Sequence, residues 1–130
     1  MYRRAVAEDL VDVGAAIAWA DGLAAEQGLS DDVRYAIQLC LEESLANLIQ
    51  HGKLSADAKD IAVVVSFDAP NASVIVSDAC VPFDPTKTQP HENPEIGGRG
   101  LLLMQSFARD IAYRHVGARN ELIFRFGPAA

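Results

Sequence analysis

Apolar residues at Leu10, Val13, Ile17, Ala20 and Ala24 recur three or four positions apart, which predicts a helix from about Glu8 to Gln27 with one apolar stripe. Gly28 follows as its stop. Ser30 is an N-cap type, and Asp31 and Asp32 suit the positive end of a helix dipole, so a second helix is expected from Asp31 to His51. Gly52 is expected to end it in the left-handed conformation. The pattern then changes period. "DIAVVVSF" (60–67) and "ASVIVSD" (72–78) are β-branched runs joined by "DAPN", which reads as a hairpin. The next segment, "ACVPFDPTKTQPHENPEIGGRG", has four prolines and three glycines and supports neither period. "LLLMQSFA" from Leu101 resumes a helix, and "IAYRHV" and "NELIFRF" flank "GAR" as a second hairpin. The order helix, helix, strand, strand, loop, helix, strand, strand predicts an α+β fold. In it, helices form one layer on one face of a mainly antiparallel sheet, as a single domain over residues 1–130.

The second helix raises a chemical question. Cys40, Leu41, Leu45, Leu48 and Ile49 spread around it and imply that much of it is buried, yet it also carries Glu43, Asn47 and His51. These three are four apart and lie along one stripe, each about a turn above the last. An unpaired carboxylate in an apolar interior costs several kcal/mol or gives up its charge, so Glu43 needs solvent, a ligand or a partner. One reading makes Glu43 a general base and Asn47 an oxygen donor to a hard cation such as Mg²⁺. The other makes Glu43 the exposed side of a half-buried helix, Asn47 a cap for a neighbouring loop and His51 a cation at the negative helix end.

Composition narrows the partners. Half of the 130 residues are hydrophobic and 22% are charged, which is ordinary for a globular domain. A net charge of −7 opposes a sequence-independent grip on nucleic acid, which is built from lysine and arginine on phosphates, and suits basic protein partners. Cys40 and Cys80 are far apart and each lies among apolar residues, so there is no disulfide framework or zinc spacing, and a reducing cytoplasm is the expected compartment. Glu8, Asp9, Asp12 and Asp21 interrupt the apolar N-terminal stretch, which therefore reads as neither a signal peptide nor a membrane span.

Two further stretches carry chemistry. "GGRG" (97–100) runs into an apolar helix, and such a turn offers backbone N–H groups to an anion, phosphate above all; it is also an ordinary flexible turn. No Lys-Ser or Lys-Thr follows, so it is not a Walker loop, and no strand leads into it, so it is not a Rossmann turn. Asp78 ends a strand, where its carboxylate can accept from an amine of a ligand lying on the sheet or can simply serve a turn.

In order, Glu43-x-x-x-Asn47-x-x-x-His51, then Asp78, then Gly97-Gly98-x-Gly100-Leu101 resemble the ATP-binding boxes of the GHKL superfamily. "SDDVRYAIQLCLEESLANLIQHG", "PFDP" (82–85) and "GGRGLLLM" (97–104) narrow the resemblance to the anti-sigma factor serine/threonine kinases, over nearly the whole chain. The resemblance implies a GHKL-type fold and Mg²⁺-dependent use of ATP. It makes Glu43 the base that activates a serine hydroxyl and Asn47 the Mg²⁺ ligand. Asp78 and its neighbour Cys80 would form the adenine site, while Gly97, Gly98, Arg99, Gly100 and Leu101 would form the phosphate lid, Arg99 adding a charged contact. The implied partners are a STAS-type anti-sigma antagonist as substrate and a sigma factor, without nucleic acid or membrane; homodimers are common among these kinases. Two departures stand out. Cys80 replaces the glycine of the usual Asp-x-Gly box, and "RNEL" stands where many members have Gly-Thr, so that Asn120 takes the place of the hydroxyl. A non-catalytic partner-binding module of the same fold, and a detached histidine-kinase-like ATP-binding domain, are the competing functions.

Overall fold

The computed structural model describes residues 1–53, 58–87 and 99–128. Its elements are β1 (Tyr2–Val6), α1 (Leu10–Glu26), α2 (Asp31–His51), β2 (Ile61–Asp68), β3 (Asn71–Asp78), α3 (Arg99–Phe107), β4 (Asp110–Val116) and β5 (Arg119–Phe126), with a short 3-10 turn at Pro85–Lys87. The strands form one antiparallel sheet in the order β1-β2-β3-β5-β4. The helices cover one face. Val63, Val65, Val74, Val76, Phe124 and Phe126 on that face meet Ile37, Leu41 and Leu45 of α2 and Met104 of α3 in a single core. Ala16, Ala20 and Ala24 bring α1 against the same core on small side chains. The expected α+β sandwich is therefore present, with a fully antiparallel sheet.

Local chemistry accounts for the boundaries. Asp9 caps α1 by accepting from the Asp12 N–H, and Ser30 caps α2 by accepting from the Val33 N–H. Asp21 accepts from Arg34 at 2.9 Å through both carboxylate oxygens and joins α1 to α2. Hydrogen bonding to that guanidinium holds the Asp21 carboxyl below the usual carboxylate range. In the second hairpin Gly117 and Ala118 both have positive φ, 59° and 65°, as a two-residue turn with the twist of its flanking strands requires.

Three expectations are corrected. β1 is absent from the sequence reading: "YRRAV" is short and charged, and pairs with β2 alone as an edge strand. Arg4 of that strand donates to both oxygens of Asp12, at 3.1 and 3.0 Å, and so fastens the edge to α1. Leu10 opens α1 but is 67% exposed, and the buried stripe runs through Val13, Ala16, Ala20 and Ala24 instead.

Gly52 is the third. It does cap α2, but at φ −62° and ψ 135°, an extended conformation open to any residue, so the left-handed stop is not used. Glycine is required there by space. A Cβ would lie 2.6 Å from the Leu48 carbonyl oxygen and 3.1 Å from the Cys80 sulfur. The end of α2 is stabilised from outside the helix, where the Lys59 ammonium donates to the Leu48 and Ile49 carbonyls at 2.8 and 2.9 Å. Gly52→Ala is therefore expected to lower stability by about 1–3 kcal/mol through overpacking against backbone. An unchanged midpoint in urea denaturation would show that this approach relaxes without cost.

Candidate functional site

Between the C-terminal half of α2, the ends of β3 and β5, and α3 lies a cavity of about 290 Å³. Asn47 and His51 of α2 line it from one side, Asp78, Cys80 and Tyr113 from the sheet side, and Met104 from α3. Leu48, Val76 and Leu122 supply apolar wall, and Phe83, 49% exposed, stands among the lining residues. An apolar cavity with few converging polar groups suits a flat organic ligand.

Asp78 is the polar anchor of the wall. It is the last residue of β3 and only 4% exposed. One carboxylate oxygen, Oδ1, accepts from the Cys80 N–H and from the Asn120 side-chain amide, each at 2.9 Å. The β3–β5 register places Asp78 opposite Asn120 and so brings the two side chains within reach for the second bond. Asn120 also donates to the Cys80 and Val81 carbonyls at 3.2 Å and accepts from the Phe83 N–H at 3.3 Å. The Tyr113 hydroxyl donates to the same Asn120 oxygen. Burial pushes the Tyr113 phenol up, which keeps it in its donor form. One side chain thus clamps the start of the long loop and orients Asp78. Asn120 occupies the place where the sequence offered an amide for a hydroxyl, but its hold on three loop backbone groups lies beyond that reading.

At the other end of the cavity, α3 meets α2 through a glycine. A Cβ on Gly100 would lie 3.1 Å from Glu43 Oε2 and 3.4 Å from Asn47 Nδ2, so the first turn of α3 passes directly over these two polar groups. Glu43 is half-buried and is not among the cavity-lining residues; it faces Gly100. Glu43, Asn47 and Gly100 are therefore brought together, and Asn47, Asp78 and Cys80 share the cavity. Leu101 is buried. Gly97 and Gly98 lie outside the described residues, as does the Arg99 side chain.

Cys80 is 4% exposed. Burial, then the negative charge of Asp78, push its thiol up to about 12. It is a neutral, packed group rather than a reactive one. Cys40 is similar, raised to about 12 by burial and then by Glu43. Among the described residues there is no cluster of three or more His, Cys, Asp or Glu suited to a metal. Asn47 carries an amide oxygen, a hard donor of the type Mg²⁺ takes, and that ion keeps several waters and draws further ligands from substrate phosphates. Ser44, Tyr113 and Lys59 were not singled out by the sequence; an apolar helix position, a strand tyrosine and an isolated lysine carry no spacing signal.

The fold agrees with the sequence comparison: the model of the histidine kinase-like ATPase domain family matches residues 6–126, and the chain belongs to that family. In sequence, the chain is similar to Serine/threonine-protein kinase BtrW of Bordetella bronchiseptica. The two are 24% identical over 113 residues, covering 82% of this chain and 80% of that one. Among solved structures it is similar in fold to the RsbU and RsbW domains of Rv1364c from Mycobacterium tuberculosis, with a TM-score of 0.67, 15% identity and 96% of this chain covered. The chain spans 31% of the length of the chain solved there. No helix among the described residues is long and apolar enough to cross a membrane.

Proposed function

We propose that this protein is an ATP-dependent serine/threonine kinase that acts as an anti-sigma factor, phosphorylating a STAS-type antagonist and holding a sigma factor inactive. The observation that carries the reading is that Asn47 on α2, Asp78 at the end of β3 and Met104 on α3 line one cavity, while Gly100 in the first turn of α3 packs over Glu43 and Asn47 beside it. The similarity to BtrW, a serine/threonine-protein kinase, supports the choice of hydroxyl acceptor. Similarity to an RsbW domain supports the fold. The acidic balance of −7 suits basic protein surfaces as partners.

In this reading Asp78 accepts from the amine of adenine, and the apolar wall of Leu48, Val76, Met104 and Leu122 covers the faces of the base. Asn47 is the residue that holds Mg²⁺. The ion, when bound, neutralises phosphate charge, and transfer is otherwise a matter of positioning. Gly97, Gly98, Arg99, Gly100 and Leu101 form the phosphate lid. Glu43 takes the proton of the substrate serine as its oxygen bonds to the γ-phosphorus and the β–γ bridging bond breaks, releasing ADP.

The test is a Mg·ATP titration followed by transfer of labelled γ-phosphate to a purified STAS-domain protein. Asn47→Ala is expected to weaken ATP binding in Mg²⁺ by about 10–100-fold and to abolish most of the difference between titrations with and without the ion. Unchanged affinity in an intact fold would remove Asn47 from the ligand role. Cys80 beside Asp78 favours a second reading, a partner-binding module with weak or no ATP turnover. ATP binding without labelled STAS protein would establish that one.

A further inference from the structure

Asp78 and Gly52 are joined by a side chain that the nucleotide reading leaves without a task. The backbone at position 80 does not need glycine, because the only non-glycine residues with positive φ among those described are Asp60 and Ala118. A side chain is therefore carried there without strain. Its position is set from two sides. The sulfur sits 3.1 Å from where a Cβ on Gly52 would be, so the bare glycine at the end of α2 makes its seat. On the other side the Cys80 N–H donates to Oδ1 of Asp78 at 2.9 Å, and the two residues line the cavity next to each other. Asn120 closes another flank of Asp78 with its own 2.9 Å bond. The approach to the carboxylate that remains is from the cavity.

An amine that enters from the cavity offers one N–H to Asp78, and a substituent on its nitrogen then competes for the wall next to the carboxylate, which Cys80 lines. We propose that Cys80 is a specificity-determining residue that closes the cavity beside Asp78, restricting the site to a base whose exocyclic amine is unsubstituted. Gly52 is its structural counterpart. The inference rests on the reading of the cavity as an adenine site, and the test separates the two.

Affinities for ATP and N6-methyl-ATP are measured by calorimetry for the wild type and for Cys80→Ala and Cys80→Ser, each checked for an unchanged thermal unfolding profile. The wild type is expected to prefer ATP by about tenfold or more, the usual size of discrimination for one misplaced methyl group. Cys80→Ala removes one atom about as large as that methyl group, and is expected to bind both nucleotides within about threefold of each other, chiefly by gaining N6-methyl-ATP. Cys80→Ser leaves an atom and a donor in place and is expected to keep the wild-type preference. Equal binding of the two nucleotides by the wild type, or a preference that survives in Cys80→Ala, overturns the role of Cys80 and leaves the adenine site standing. Failure of both wild type and Cys80→Ala to bind either nucleotide overturns the adenine site as well.

Discussion

Glu43→Gln is expected to lower the rate of phosphate transfer by about 10²–10⁴-fold, while ATP affinity stays close to that of the wild type. Glutamine keeps the shape and length of the side chain and removes its ability to take a proton. The binding half of the expectation comes from position: Glu43 does not line the cavity but faces the backbone of Gly100, so its loss as a base leaves the base pocket intact. Single-turnover transfer to the STAS protein, with a parallel Mg·ATP titration, reads both halves. Transfer at the wild-type rate would take Glu43 out of the proton-accepting role. A parallel fall in binding and transfer would make it part of the ATP site instead.

Asp78→Asn is expected to weaken ATP binding by about 10–100-fold, the scale of one hydrogen bond to a charged acceptor. The substitution preserves volume, and an amide oxygen can still accept from the Cys80 N–H and from Asn120. What it changes is the second atom of the group. An acceptor becomes an NH₂ donor and meets the amine of adenine donor to donor. Discrimination against inosine triphosphate, whose 6-oxo group is an acceptor, is expected to shrink or reverse. Calorimetric titration with the two nucleotides measures this, and unchanged ATP affinity would mean that the carboxylate does not read the base.

Much of the fold is legible along the chain because periodicity records which face of an element is buried. The stripe of α2, its Ser30 cap and the two hairpins are examples. β1 is not legible, since an edge strand is satisfied on one side only and "YRRAV" buries Val6 alone, too little to set a period. Leu10 misleads for the opposite reason: it keeps the period of α1 but falls where the helix has not yet reached the core. The site divides along similar lines. Glu43, Asn47 and His51 share a stripe because spacing on a helix is a local property. Asp78 and Asn120 are 42 residues apart, and only the β3–β5 register makes them partners.

By itself, then, the sequence determined the local elements and the stripe of polar groups on α2, since each follows from hydrogen bonding and burial within a few residues. The tertiary structure decided what those groups face. It laid Gly100 over Glu43 and Asn47, set the Asn120 clamp on Asp78, and made Gly52 a gap for the Cys80 thiol rather than a left-handed stop. These are close approaches between segments distant along the chain. Their distances come from packing three helices on a five-stranded sheet, and no local spacing encodes them.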